Sequence, residues 1–192
     1  MNAWSLPTSL TVNGVSYEIR TDFRAVLDIL RACNDPDLPD WAKSEVMIRI
    51  LFTDWESIPR DDLQEACKKA VEFIDCGNEQ DNSKPQPRLM DWDQDAEMLI
   101  PAINKVYGAG DVRSLPYLHW WTFLGYYMEI GEGLFSSVLN IRHKRAKGKN
   151  LEKWERDFER ENRRLIKLKS PESEEEKQRR EAEEAALREL IG

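Results

Sequence analysis

The chain has 192 residues, of which 41% are hydrophobic and seven are Trp, enough to build one core and too apolar for a chain disordered throughout. No run approaches the roughly 18 apolar residues a membrane-spanning helix needs, and the opening Met1 to Pro7 has no basic start leading into an apolar stretch, so neither a span nor an export signal is expected. Cys33, Cys67 and Cys76 leave an odd thiol and no close metal-ligand pair, which argues against a secreted disulfide framework, and the net charge of −8 divides into −11 over residues 1–141, +7 over 142–169 and −4 over 170–192.

The first elements follow from periodicity. Ser9-Leu10-Thr11-Val12 and Val15-Ser16-Tyr17-Glu18-Ile19 alternate apolar and polar residues on either side of Asn13-Gly14, a dipeptide suited to a type I′ turn, so a β-hairpin is predicted. Thr21 is placed to cap a helix in which Phe23, Val26, Leu27 and Leu30 recur at helical spacing, ended by Asn34-Asp35-Pro36. Trp41, Met47, Ile50 and Leu51 mark a second helix. Leu63, Ala66, Cys67, Ala70, Val71 and Ile74 form the stripe of a third, with Asp61 and Asp62 near its start and Gly77 past its end. Cys67 and Cys76 therefore read as incidental thiols of that helix.

Residues 77–90 are rich in Asn, Asp, Ser, Pro and Gln and read as an exposed loop. Trp92, Ala96, Leu99, Ile103 and Val106 then advance at helical spacing to Gly108 and Gly110, and Pro101 inside this fourth helix should bend or divide it. The run from Tyr117 to Met128 is apolar almost all round and predicts a central fifth helix, with Trp121 as its buried tryptophan. Leu134, Val138 and Ile141 begin a sixth, which passes into the basic run Arg142 to Lys149.

From Leu151 the pattern narrows to a heptad-like seam of Leu151, Trp154, Phe158, Leu165 and Leu168, flanked by charges and interrupted at Glu161. Glu172 to Leu190 reads as a charged helix of marginal stability. The expected architecture is mainly α: a helical bundle body with a small N-terminal β-hairpin over residues 1–148, and a charged amphipathic C-terminal helical extension over 149–192.

Reactive chemistry is sparse. Asp91-Trp92-Asp93-Gln94-Asp95 spaces carboxylates like the first half of an EF-hand loop, but Ala96 and Ala102 stand where that loop needs Gly and Glu. Asp91 is read instead as a helix cap, with Asp93 and Asp95 favouring the positive helix N-terminus. His119 has no Cys or His at metal spacing and is assigned to packing or a buried hydrogen bond. No catalytic or metal-binding residue and no cofactor is expected, and the chain is read as a non-enzyme that binds other proteins. The candidate partner-binding residues are Leu151, Trp154, Phe158 and Leu165 on the seam and Arg142, Lys144 and Arg145 in the basic run. These cations suit an acidic protein partner, pairing within the chain or a solvated face better than nucleic acid, because an acidic body adjoins them.

Leu6-Pro7 with the hairpin and Thr21-Asp22-Phe23-Arg24, then Asp91-Trp92-Asp93-Gln94-Asp95-Ala96, then Leu118-His119-Trp120-Trp121-Thr122-Phe123, then Ile141-Arg142-His143-Lys144 occur here in that order. Together they resemble the gene-product-fifteen family of bacteriophages and prophages of Gram-positive bacteria, over most of residues 6–169. The resemblance implies a protein of the tail-morphogenesis region, similar in role to the tail assembly chaperones. These hold the tape-measure protein soluble in the host bacterial cytoplasm while tail-tube subunits polymerise around it. The partners it implies are the tape-measure protein, the tail-tube protein and a second copy of the chain. A structural tail or head-tail connector component and a nucleic-acid-binding accessory protein are the alternatives.

Overall fold

The computed structural model describes residues 5–77 and 87–169, and Arg179 beyond them. Asn13 and Gly14 both take positive φ, 45° and 87°, the backbone a type I′ turn requires. They close an antiparallel hairpin of β1 (Ser9–Val12) and β2 (Val15–Glu18). Leu10 and Val12, two apart on β1, are buried on one face, which packs against α3 (Leu63–Ile74).

Helix α1 (Phe23–Asn34) starts one residue later than the sequence predicts: Asp22 is the cap, its carboxylate accepting the Arg24 N–H at 3.0 Å. Thr21 is buried and hydrogen-bonds the Tyr117 hydroxyl at 2.7 Å. Helix α2 (Asp40–Leu51) packs along α1 through Met47, Ile48 and Leu51, and Trp41, expected on the buried side, is 71% exposed. The Arg20 N–H donates to the Leu51 carbonyl at 2.7 Å, which sets the end of α2 against the strand exit. In α3 the buried stripe runs through Ala66, Ala70, Phe73 and Ile74, and Val71 faces outward.

Helix α4 (Ala96–Tyr107) runs undivided through Pro101 and ends at Gly108 with φ 73°. It contacts both α5 (Trp120–Met128) and α6 (Leu134–Ala146). The predicted seam does not continue as one helix. It divides at Asn162 between α7 (Lys153–Glu161) and α8 (Arg163–Ile166), where the Asn162 backbone N–H and side-chain amide both donate to the Phe158 carbonyl. Leu151 and Ile166, from the segment the charge pattern sets apart, are buried in the same core as Val26, Phe73, Ile103 and Val138. The described residues thus form a mainly α protein of eight helices and one two-stranded hairpin. None of these helices is long and apolar enough to cross a membrane. Of the predicted loop, residues 78–86 lie outside the described residues; Leu89 and Met90 are half-buried. The expected terminal helix over 172–190 also lies outside them, apart from Arg179, which is helical.

Candidate partner-binding site

The Asp91–Asp95 motif is a structural joint. Asp91 Oδ1 accepts the N–H groups of Asp93 and Gln94 at 2.9 and 2.7 Å, folding the chain into a turn one step before α4. Each following side chain then grips a different element. Trp92 packs its ring 6.0 Å from Trp120 and 5.4 Å from Tyr127. Asp93 takes Arg31 of α1, whose guanidinium it holds well above the usual arginine range. The Gln94 amide donates to the Lys167 carbonyl at 2.7 Å and accepts the Lys169 N–H at 2.8 Å. Asp95 forms no side-chain cap, and its carboxylate is buried against Arg142 in a two-pronged pair, Nη1–Oδ2 2.7 Å and Nη2–Oδ1 2.8 Å.

A second joint brings Thr21-Asp22-Phe23 and Leu118-His119-Trp120 together. The Phe23 N–H donates to the Leu118 carbonyl at 3.0 Å and the Trp120 N–H to the Thr21 carbonyl at 2.7 Å, while Asp22 Oδ2 accepts the Leu118 N–H at 3.1 Å. His119 Nδ1 accepts the Trp121 N–H at 3.0 Å, which leaves the proton on Nε2 to reach the Pro7 carbonyl at 3.0 Å. His119 is thus a buried cap of α5. The two tryptophans do not point apart as neighbours on a helix are expected to. Trp120 Nε1 donates to the Ile74 carbonyl and Trp121 Nε1 to the Phe73 carbonyl, both at 2.8 Å, so together they hold the last turn of α3. Trp120 is the buried one at 2% exposure; Trp121 is half-buried.

Each candidate residue of the basic run pairs with a carboxylate of the chain itself, Arg142 buried, Lys144 half-buried and Arg145 exposed. Arg142 is 5% exposed and, besides Asp95, donates to the carbonyls of Leu89, Leu165 and Ile166. It is therefore not presented to a partner. Lys144 Nζ lies 2.6 Å from Glu155 Oε1, and Arg145 pairs with Glu159. On the seam Leu151 is buried, Phe158 and Leu165 pack partly on the core, and Trp154 is 51% exposed. Periodicity alone could not separate these outcomes, because the seam residues reach the core from two short helices and a preceding turn.

Glu155 has a fully buried side chain and also accepts from Asn140 at 3.0 Å and from the Glu152 N–H at 2.8 Å. The Lys144 ammonium, and then the Glu152 N–H, hold its carboxyl below the ordinary glutamate value of 4.5. A depressed folded-state value contributes stability that is complete above the unfolded value and lost as pH falls through the folded one. Amide exchange in α7, corrected for its intrinsic rate, should stay level from neutral pH to about 4.5 and quicken below it. Glu155→Gln should flatten part of that response. An unchanged acid response in the variant would place the titrating group elsewhere.

Two openings in the surface are lined mainly by apolar side chains, and another, of about 570 Å³, by Arg156, Arg160, Arg163 and Lys167 with Glu159 and Ile166. A groove of about 600 Å³ lies between α4 and the start of α6, walled by Met98, Pro101, Ala102, Val106, Ile130 and Leu134, with Glu97, Glu129, Glu132 and Lys105 at its rim. Leu134 is 49% exposed there. A smaller pocket of about 350 Å³ lies between α2 and α3 beside the exposed Trp41, floored by Ile48, Leu63 and Cys67 and walled by Trp55, over whose ring Arg49 lies at 4.2 Å. Neither opening was visible in the sequence; the outward-facing Trp41 and Leu134 read there as core. Burial pushes the three thiols up, Cys76 to about 11, and no group of three His, Cys, Asp or Glu among the described residues is placed to hold a metal.

Fold and surface together define a mainly helical protein whose motif residues are joints of its core and whose surface carries two apolar grooves. The chain belongs to the bacteriophage Gp15 protein family, which it matches over residues 4–170. Comparison with curated proteins and with solved structures finds no match.

Proposed function

We propose that this phage protein is a tail assembly chaperone that binds the tape-measure protein and keeps it soluble during tail-tube assembly in the host cytoplasm, without catalysis or a cofactor. The observation that carries this reading is the pair of open apolar grooves with Trp41 and Leu134 facing solvent beside them. Exposed apolar surface of this kind marks sites of protein association. Arg142, Lys144 and Arg145 are each paired with a carboxylate of the chain itself, which reduces what the basic run offers to phosphates and favours a protein client over nucleic acid.

Co-expression tests it. The tape-measure protein of the same phage should move from the pellet to the soluble fraction when this protein is present, and the two should co-purify. Finished particles should lack it. A tape-measure protein equally insoluble with and without it, or particles containing it in stoichiometric amounts, would overturn the reading in favour of a structural virion component.

A further inference from the structure

We infer that the groove between α4 and the start of α6 receives a single amphipathic α-helix of a partner protein whose apolar stripe is flanked by Lys or Arg; this deepens the chaperone reading and rests on it.

The shape sets the kind of occupant. One wall is a helical stripe, Met98, Pro101, Ala102 and Val106, and Ile130 and Leu134 face it. Glu97 to Val106 covers ten residues of α4, about 14 Å at the helical rise. Apolar anchors at i, i+4 and i+7 of a docked helix span about 10 Å and fit within that length. A guest strand would need a sheet edge, and the described sheet lies elsewhere, packed on α3.

Charge sets the flanks. The rim holds Glu97, Glu129 and Glu132 against Lys105; Glu97 is paired with Arg164 at 3.2 Å, whereas Glu129 and Glu132 make no ion pair with a described residue and carry the anionic character of the rim. Pro101, with no N–H, leaves the Glu97 carbonyl without its i+4 helix donor on the same wall. Each feature favours a cationic flank over an anionic one. The chain's own C-terminal residues 170–192, at net −4, would meet like charge here.

The probe is a fluorescent helical peptide of about 18 residues with Leu at i, i+4 and i+7 and Lys/Arg flanks. Its controls are a Glu-flanked peptide with the same Leu stripe and a Lys/Arg-flanked peptide with Ser in place of Leu. The full-length protein should bind the first, more weakly as salt rises, and neither control. Leu134→Glu and the double variant Glu129→Lys/Glu132→Lys change exposed residues, and unchanged melting curves would show that both fold. Each should weaken the basic peptide about tenfold, and the double variant should gain affinity for the Glu-flanked peptide.

The inference fails if basic and acidic peptides bind alike, if the folded variants bind as the parent does, or if no peptide binds. It also fails if Leu134→Glu instead dissociates a dimer, which would make a second copy the occupant. Groove variants that hold the tape-measure protein soluble as well as the parent would sink this inference alone. A parent protein that cannot do so would sink the chaperone reading, and the peptide measurements would still decide the groove.

Discussion

Replacing Arg142 by methionine should lower the unfolding free energy by about 3–5 kcal/mol, because it strands the Asp95 carboxylate, 1% exposed, without its counter-charge. For a chain of this length that is a fall of roughly 6–20 °C in melting temperature. The loss includes the guanidinium's bonds to the carbonyls of Leu89, Leu165 and Ile166, so the first sign of instability should be release of residues 163–169 from the body. A double variant, Asp95→Leu with Arg142→Met, separates pair from packing. An isolated buried charge is expensive, whereas a buried pair is often replaceable by apolar residues, so the double variant should recover much of what the single one loses. A single variant that melts with the parent would show that the pair is solvated and that the joint at Asp95 is not closed.

Trp120→Ala is the second large effect, expected at about 3–5 kcal/mol from the cavity left by a side chain whose neighbours cannot close over it. The ring stacks 5.9 Å from Phe123 and meets Trp92 edge-on, and its indole N–H holds the end of α3, so three elements lose a shared contact. Trp121→Ala should cost less. Its ring is half-buried, and although it too donates to α3 and stacks 6.0 Å from Phe73, water can take over part of what it covers. Urea titrations of the two variants would rank them, and the reverse order would mean that the core of α5 is assigned to the wrong tryptophan.

Both substitutions strike motifs on which the resemblance to the family rests, and the fold explains why such motifs need not mark a binding surface. Asp22, Gln94, Asp95, His119, Trp120 and Arg142 join elements distant in sequence through side-chain hydrogen bonds to backbone or to one another, and Trp92 does so through ring contacts. Substitution there disturbs folding before it disturbs recognition. Variants intended to probe partner binding belong at exposed positions such as Leu134, Trp41 and Glu129.

The local elements were legible in the order of the residues. Asn13-Gly14 forces a tight turn, the 3.6-residue spacing of apolar residues places six helices before residue 148, and Gly108 ends α4 because it alone adopts a left-handed backbone without cost. These are short-range consequences of backbone geometry. The sequence also carried family membership, through motifs recognised in order. Which face of each stripe is inside depends on long-range packing: Ile48 and Leu51 go in while Trp41 stays out, and Trp120 is buried more deeply than Trp121, because packing angles between helices are set by all the neighbours at once. The same packing decided too that Arg142, Lys144 and Arg145 of the charge run after Ile141 pair with Asp95, Glu155 and Glu159. Composition counts charges, but whether a cation faces a partner or a carboxylate of its own chain depends on where the chain folds back, and that is fixed by contacts as far apart as Asp95 and Arg142.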